Sequence, residues 1–306
     1  MIIETPKRVH FGLIDPSASL GRRFGALGVA LEGGYVVRVE RGGEGVKAGK
    51  KDRETIEAVL RTLGETFGIE GSYSIEVLKG IPRHVGLGST TQLSLAVAKA
   101  VSLFEGLNLG TAELARALGR GRDSGVGIYA FELGGFVIDG GVGKGVPPLI
   151  VRHDFPEEWA LILITPELKA GPDEIEERSA MDSSFGSAGI AARISHRVLL
   201  GLLPALVERD IESFGAHLTA IQRLVGRHFS RFQGGEFRPD LGAVLSFLEE
   251  RTYGCGQSSW GPTVYGLIRR GEFEGIKEEA EDYLRELGLR ARIELGIPRN
   301  RGFSVG

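Results

Sequence analysis

The sequence predicts a fold that mixes helices and strands in two successive parts, and three stretches of the chain predict it. A strand-like run at 73–79 leads through a glycine-rich loop into a helix with apolar periodicity at 93–103. Residues 142–156 carry three prolines and two glycines, a composition typical of a connector. After it, a buried-type strand at 159–165 opens the second part. We therefore divide the chain into 1–150 and 151–306.

Local patterns predict the other elements of the first part. Strands are predicted at 1–15, 25–32 and 35–40, and the last two are predicted to pair with each other. Residues 41–51 are polar and predict a loop, whereas apolar residues at helical spacing predict a helix at 53–67. Another helix begins at Thr111, whose hydroxyl can cap it, and ends at Gly119.

Apolar stripes predict most of the second part. Helices are predicted at 190–207, 211–229 and 240–251, and a short acidic helix at 173–180. The chain then ends on a strand, a helix and a strand, at 263–270, 273–287 and 290–297.

Composition narrows the class of protein. The chain has 306 residues, 42% hydrophobic and 25% charged, with a net charge of -3. This balance gives no global field for nucleic acid or for an anionic membrane, and we expect neither partner. One cysteine, Cys255, excludes an intrachain disulfide and fits a cytoplasmic location. No apolar run approaches the roughly 20 residues of a membrane span.

The central motif is the glycine-rich loop at 80–92, which ends at the start of a helix. Unpaired N–H groups and the helix dipole make such a place attractive to phosphate. Ser89, Thr90 and Thr91 add hydroxyls that can bind phosphate or ligate Mg²⁺. The spacing is not that of a P-loop, because no Gly-Lys-Ser/Thr follows.

This loop resembles Pro-x-x-x-Gly-Leu-Gly-Ser-Ser, the phosphate loop of the GHMP kinase superfamily. Five residues stand in register, and Thr90 replaces the second serine: Pro82, Gly86, Leu87, Gly88 and Ser89. The resemblance implies an α+β, GHMP kinase-like two-domain fold with the phosphate loop at the domain junction. It also implies that these residues, with Thr90 and Thr91, bind phosphate, and that Ser89 and Thr90 are candidate ligands of Mg²⁺.

A second glycine-rich stretch, 119–141, departs from the kinases at one position. The corresponding kinase segment reads Ser-Gly-x-Asp, and in several of these kinases that Asp is the general base. Here Ser124-Gly125-Val126 aligns, but the Asp position is Gly127. Asp123 lies on the other side of Ser124, so the role does not transfer to it.

Within the superfamily, the details are most similar to the β-ribofuranosylaminobenzene 5'-phosphate synthases, an archaeal family of methanopterin biosynthesis. The similarity is carried by residues 8–15, 86–92, 119–121, 124–127, 131–136 and 256–262. It implies that phosphoribosyl pyrophosphate and 4-hydroxybenzoate or 4-aminobenzoate combine with release of CO₂ and pyrophosphate. Since no hydroxyl must be deprotonated in this reaction, a base at position 127 is unnecessary. The resemblance further implies Mg²⁺, no ATP requirement and a homodimer.

The candidate site residues follow from this chemistry, which must neutralise pyrophosphate, hold the 5'-phosphate and orient the benzoate. Arginines beside glycines form the pool for the phosphate or the carboxylate: Arg22, Arg23, Arg120 and Arg122. Polar and aromatic residues in the motifs are candidates around the ring or in catalysis: His10, Asp15, Ser124, Ser258 and Trp260.

Two other functions stay open at this point. The first is an ATP-dependent kinase of a small alcohol, which would yield a phosphorylated product. The second is a ligand-binding member of the fold without turnover. Gly127 favours the synthase or the binding protein over the kinase.

Overall fold

The computed structural model describes residues 1–18, 20–43, 45–168 and 188–306. The strands are β1 (Ile2–Glu4), β2 (Lys7–Asp15), β3 (Phe24–Leu31), β4 (Val36–Arg41), β5 (Gly45–Lys47), β6 (Tyr73–Lys79), β7 (Phe136–Asp139), β8 (Leu149–His153), β9 (Trp159–Pro166), β10 (Gly254–Gln257), β11 (Val264–Arg269), β12 (Ala291–Gly296) and β13 (Ser304–Val305). The α-helices are α1 (Lys50–Phe67), α2 (Ser89–Phe104), α3 (Thr111–Ala117), α4 (Val126–Leu133), α5 (Ala188–Arg197), α6 (Leu203–Glu208), α7 (Ile211–Gln233), α8 (Gly242–Arg251) and α9 (Phe273–Glu286). A π-helical turn, Val198–Leu202, joins α5 to α6, and 3₁₀ turns lie at Pro239–Leu241 and Arg270–Glu272.

The strands form three sheets, in the orders β13-β1-β4-β6-β5, β2-β3-β7-β8 and β10-β11-β9-β12. The first and second sheets share one core with α1, α2 and α7, which contains Ile56, Ile75 and Phe214. A smaller core lies under α8 and α9 on the third sheet. The α+β, GHMP kinase-like fold predicted from the sequence is confirmed, whereas the division at residue 150 stays a prediction.

The predicted pairing of the strands at 25–32 and 35–40 is wrong. β3 pairs with β2 and β7, whereas β4 pairs with β1 and β6 in a different sheet. The chain crosses between the sheets at Gly34, where a Cβ would lie 2.2 Å from the carbonyl oxygen of Thr5. Thr5 N–H donates to Tyr35 O across this point (2.9 Å), so the crossing is fixed by contacts distant in sequence.

Three smaller expectations also need correction. The predicted connector at 142–156 contains β8, which extends the second sheet by pairing with β7. The predicted loop at 41–51 contains β5, which pairs in parallel with β6. Thr111 is the first buried residue of α3 rather than its cap, since Gly110 takes the capping position. The acidic helix predicted at 173–180 lies outside the described residues.

The chain end returns to the first part of the fold. β13 pairs with β1, and Arg299 N–H donates to Ala30 O (3.0 Å). The ring of Phe303 stacks on that of Phe131 in α4, with centroids 4.5 Å apart. The last residues therefore complete the first sheet and cover α4.

One helical run, Ala188–Glu208, exceeds the length expected from the sequence. It has a mean hydropathy of 1.5 and is long and apolar enough to cross a membrane by length and composition alone. Ile194, Leu202 and Leu206 on this run are fully buried in the main core. One face of the run thus packs in the core, whereas Leu199, Leu200 and Val207 on the same run are exposed.

Candidate active site

A cavity of about 210 Å³ lies where β2, the first turn of α2, the loop before α4 and helix α7 meet. One wall is polar and comes from the first part of the chain: Arg8, His10, Thr91, Arg120, Asp123 and Ser124. The second part of the chain contributes apolar and polar side chains alike: Val225, Phe229, Phe237 and Trp260, and with them Gln222, Gln233, Glu236, Gln257 and Ser259. The ring of Trp260 packs edge-on against Phe229, with centroids 5.3 Å apart. The cavity therefore combines charged and polar groups with one packed pair of aromatic rings.

The polar wall is shaped by an irregularity in β2. The register with β3 shifts between His10 and Gly12, and Gly12 has a φ of 121° that glycine adopts readily. Gly12 N–H then donates to His10 Nδ1 (3.1 Å). The bulge thus fixes the imidazole against its own backbone at the edge of the cavity.

His10 is neutral in this environment. Burial and then the charge of Arg8 lower the pKa of His10 to about 3. Because Nδ1 accepts a hydrogen bond, the proton of the neutral ring is carried by Nε2. The ring can therefore donate one hydrogen bond to a ligand. It is not a charged imidazolium at neutral pH.

We expect His10 to make the protein less stable in mild acid. The unfolded chain binds a proton at a pKa near 6.5 and the folded chain only near 3, so stability falls as pH falls from about 6.5 towards 3. Between pH 7 and pH 5, wild type should lose about 2 kcal/mol of unfolding free energy more than His10→Gln. Urea unfolding at both pH values measures this difference. An equal loss in the two proteins would contradict a neutral buried imidazole.

Ser258 connects three motifs instead of facing the cavity. Its side chain is fully buried, and its Oγ donates to Gly86 O (2.7 Å) and accepts from His10 N–H (3.1 Å). The structure therefore places this predicted substrate-binding residue between β2, the phosphate loop and the glycine-rich stretch of the second part. Trp260, two residues later, does line the cavity.

Arg8 stabilises the phosphate loop through two hydrogen bonds to its backbone. Arg8 Nη1 donates to Gly86 O (2.6 Å), and Arg8 N–H donates to Leu87 O (3.2 Å). Gly86 and Gly88 have positive φ values of 89° and 80°. At Gly88, which precedes α2, a Cβ would lie 2.9 Å from Arg8 Cγ, so a side chain would press on this support. Pro82 is exposed and the Leu87 side chain is buried, so Leu87 can offer a ligand only its backbone.

The two predicted Mg²⁺ ligands differ in their surroundings. Thr90 Oγ1 accepts a hydrogen bond from the guanidinium of Arg83 (3.2 Å), so a fixed cation already lies beside it. Ser89 is buried in the first turn of α2. Among the described residues, no three His, Cys, Asp or Glu side chains cluster in a way that could hold a metal ion.

A buried carboxylate positions the loop before α4. Asp139 is fully buried and accepts from Gly125 N–H (2.7 Å), Gly141 N–H (2.9 Å) and Ser124 Oγ (3.4 Å). Burial raises its pKa, although the hydrogen bonds from Gly141 and Gly125 oppose that effect. Asp139 thereby fixes Ser124 at the edge of the cavity. Asp139 was given no role from the sequence.

Several predicted residues do not line the cavity. Arg22 donates to Gly140 O (2.7 Å) and Gly141 O (2.8 Å), which ties the β2–β3 turn to the end of β7. Arg23 lies over the Phe24 ring at 5.3 Å. Asp15 Oδ1 accepts from Ser17 N–H at 2.9 Å in the same turn. Arg122 is exposed beside Gly119. Of the arginine pool, Arg120 lines the cavity.

The comparisons with known proteins agree with this architecture. A family model for the GHMP kinases N terminal domain matches residues 53–135, and one for the GHMP kinases C terminal domain matches residues 202–286. A β-ribofuranosylphenol 5'-phosphate synthase from Archaeoglobus fulgidus is 35% identical, over 99% of this chain and 98% of its own. A synthase of the same name from Methanocaldococcus jannaschii is 32% identical over the whole of both chains. The chain belongs to the β-ribofuranosylphenol 5'-phosphate synthase family of the GHMP kinase superfamily.

Similarity to solved structures supports the fold of this member of the synthase family. A putative homoserine kinase from Listeria monocytogenes superposes with a TM-score of 0.70 at 20% identity, covering 99% of this chain and 98% of the kinase. The family and the transferase class predicted from the sequence are confirmed by the synthase relatives.

Some residues that line the cavity were not predicted from the sequence. Arg8 begins the motif at 8–15 but was given no role, although it precedes His10 by two residues and so shares its face of β2. Gln222 and Gln257 also line the cavity, and Gln222 Oε1 accepts from Gln257 N–H (3.0 Å). No short-range pattern brings these two residues together, since 35 positions separate them.

Proposed function

We propose that this protein transfers the phosphoribosyl group of phosphoribosyl pyrophosphate to 4-hydroxybenzoate, with release of CO₂ and pyrophosphate. The observation that carries the proposal is the full-length match to synthases whose name specifies a ribofuranosylphenol 5'-phosphate. A phenol product favours 4-hydroxybenzoate over 4-aminobenzoate, two rings that the sequence left open. The cavity supports the proposal, because Arg8, His10 and Arg120 suit phosphate and ribose, and Phe229 and Trp260 suit an aromatic ring.

The proposed reaction balances without an external base. The bond between ribose C1 and the pyrophosphate oxygen breaks, and the electron pair leaves with pyrophosphate. The ring carbon that bears the carboxylate then bonds to C1, helped by electron donation from the para hydroxyl. The carbon–carboxylate bond breaks as CO₂ leaves, and its electron pair restores the aromatic ring. No substrate hydroxyl has to lose a proton to become the nucleophile.

The residues of the chain would bind and orient the substrates. His10, with its proton on Nε2, would donate to an oxygen of the phosphoribosyl group, and Arg120 is the cation for the 5'-phosphate or the carboxylate. Trp260 and Phe229 would hold the benzoate ring by apolar contact. Between these walls the carboxylate enters a partly apolar space, and desolvation favours its loss as neutral CO₂.

Mg²⁺ is part of the same proposal. When bound, the ion would neutralise charge on the leaving pyrophosphate. Ser89 is the better protein ligand of the predicted pair, since the Thr90 hydroxyl already accepts from Arg83. The shortage of clustered carboxylates in the described residues suits an ion held chiefly by substrate oxygens, which is common for Mg²⁺. A cytoplasmic homodimer without an ATP requirement completes the proposal, and light scattering measures the dimer.

The test is release of labelled CO₂. Incubation with Mg²⁺, phosphoribosyl pyrophosphate and carboxyl-labelled 4-hydroxybenzoate should release label only when both substrates are present. Labelled 4-aminobenzoate in a parallel reaction ranks the two rings. Protein that is folded by circular dichroism but releases no label from either ring would contradict the proposal. Phosphorylation of a small alcohol by ATP would then support the kinase instead.

A further inference from the structure

Arg83 lies in the phosphate loop and was assigned no function by motif or resemblance. It follows Pro82, and only 13% of its side chain is exposed. Its Nε is paired with Asp52 Oδ1 in α1 at 2.5 Å, and Nη2 donates to Thr55 Oγ1 at 3.0 Å. Its Nη1 donates to Thr90 Oγ1 at 3.2 Å, in the first turn of α2. The guanidinium is therefore fixed between α1 and the start of α2.

The partner of Arg83 is itself held in place. Asp52 Oδ1 also accepts from the hydroxyl of Tyr35 (3.1 Å), which lies 3.3 Å from Ile81 O. Burial raises the pKa of Tyr35, so the hydroxyl keeps its proton and remains a donor. Two edges of the guanidinium are thus oriented by α1, and the third edge points to α2. Such an arrangement loses little side-chain entropy when an anion binds.

Positive charge at the start of α2 comes from Arg83, which is partly balanced by its ion pair with Asp52, and from the helix itself. Arg83 places a positive charge beside the N-terminus of α2, which carries a positive partial charge of its own. Among the residues that the structure describes, Asp52 is the carboxylate paired with this guanidinium. Of the five N–H groups of Arg83, the hydrogen bonds among the described residues use three, so two can still donate.

We propose that Arg83 binds the diphosphate group of the phosphoribosyl donor at the start of α2, with Asp52 and Thr55 as positioning residues. The assignment rests on the proposed function for the identity of the donor. A guanidinium at this position supplies charge that would otherwise have to come from a metal ion on Thr90. A forked donor also matches the oxygens of a diphosphate better than a point charge.

The test is binding of inorganic pyrophosphate and of phosphoribosyl pyrophosphate by calorimetry, with Mg²⁺ present. Arg83→Gln should weaken both at least tenfold, and Arg83→Lys should weaken them less. In turnover, KM for phosphoribosyl pyrophosphate should rise while KM for 4-hydroxybenzoate stays the same. Arg53→Gln, on the exposed face of α1, is the matched control and should change neither. Unchanged pyrophosphate binding by folded Arg83→Gln overturns the assignment.

Two further variants separate local damage from lost binding. Asp52→Asn with Arg83→Gln avoids leaving a buried carboxylate unpaired, and it should bind as weakly as Arg83→Gln alone. Thr55→Val removes one orienting hydroxyl and should raise KM for phosphoribosyl pyrophosphate about threefold with kcat unchanged; wild-type KM here overturns the role of Thr55. If wild type binds pyrophosphate through Arg83 but releases no CO₂, the proposed function fails and this assignment stands.

Discussion

Replacing Gly127 with aspartate is expected to destabilise the protein by about 3 kcal/mol or more and to create no kinase. Gly127 is buried in α4, where a Cβ would lie 3.2 Å from Thr91 Cγ2. Gln92 Nε2 also donates to Gly127 O (2.8 Å), which holds α2 close to α4. A carboxylate here would therefore overfill the contact between the two helices and be buried without a designed partner. Chemical denaturation and an ATP-dependent phosphorylation assay measure the two effects.

Matched variants isolate the cause of that loss. Gly275→Asp places the same side chain on α9, where no atom lies within 4 Å of the position that a Cβ would take, and it should change stability little. Thr91→Ala combined with Gly127→Asp should recover part of the loss, because it removes the methyl group that occupies the space. If Gly127→Asp has the unfolding free energy of wild type, then contact with Thr91 does not prevent a side chain at position 127.

Asp139→Asn should lower the free energy of unfolding by about 2 kcal/mol and reduce activity strongly. Both carboxylate oxygens of Asp139 accept backbone N–H bonds, from Gly125 and from Gly141. An amide offers one acceptor oxygen, so its NH₂ group would face one of these N–H groups and leave a buried donor unsatisfied. The loop that carries Ser124 would then lose its position at the cavity. Thermal unfolding and kcat together measure this result.

The appropriate control is Asp282→Asn, which changes an exposed carboxylate on α9 and should leave both quantities near wild type. A structural role alone would lower stability without changing kcat of the folded fraction. Normal kcat together with reduced stability would therefore show that Asp139 does not position the site.

Local sequence patterns were sufficient to predict the secondary structure around the phosphate loop. Residues 73–103 were predicted as strand, loop and helix, and β6, the phosphate loop and α2 lie there, although α2 begins at Ser89 instead of residue 93. Alternation, glycine and helical periodicity are all properties of near neighbours, so one sequence reveals them. The bulge at His10 and Gly12 was not predicted, because its cause is register with β3 across the sheet.

The side-chain contacts and strand pairings that the sequence did not predict join residues that are distant in the chain. Ser258 was predicted at the ring, yet its hydroxyl bonds Gly86, which lies 172 residues earlier. Strands β3 and β4 are adjacent in the chain but take partners in different sheets. Arg22, whose contact with an anion stays a prediction, donates to carbonyls more than 110 residues away. Hydrogen-bonding partners of this kind depend on tertiary packing, which residue type alone does not determine.

The return of the chain end to β1 has a consequence for biosynthesis. Because β13 and the contacts of Arg299 and Phe303 are made last, the first sheet emerges from the ribosome with one edge unpaired and α4 uncovered. Ile2 and Gly306 exchange two backbone hydrogen bonds, at 2.8 and 2.9 Å. Residues 2 and 306 thus lie side by side in one sheet, and this edge of β1 stays open until β13 has been synthesised.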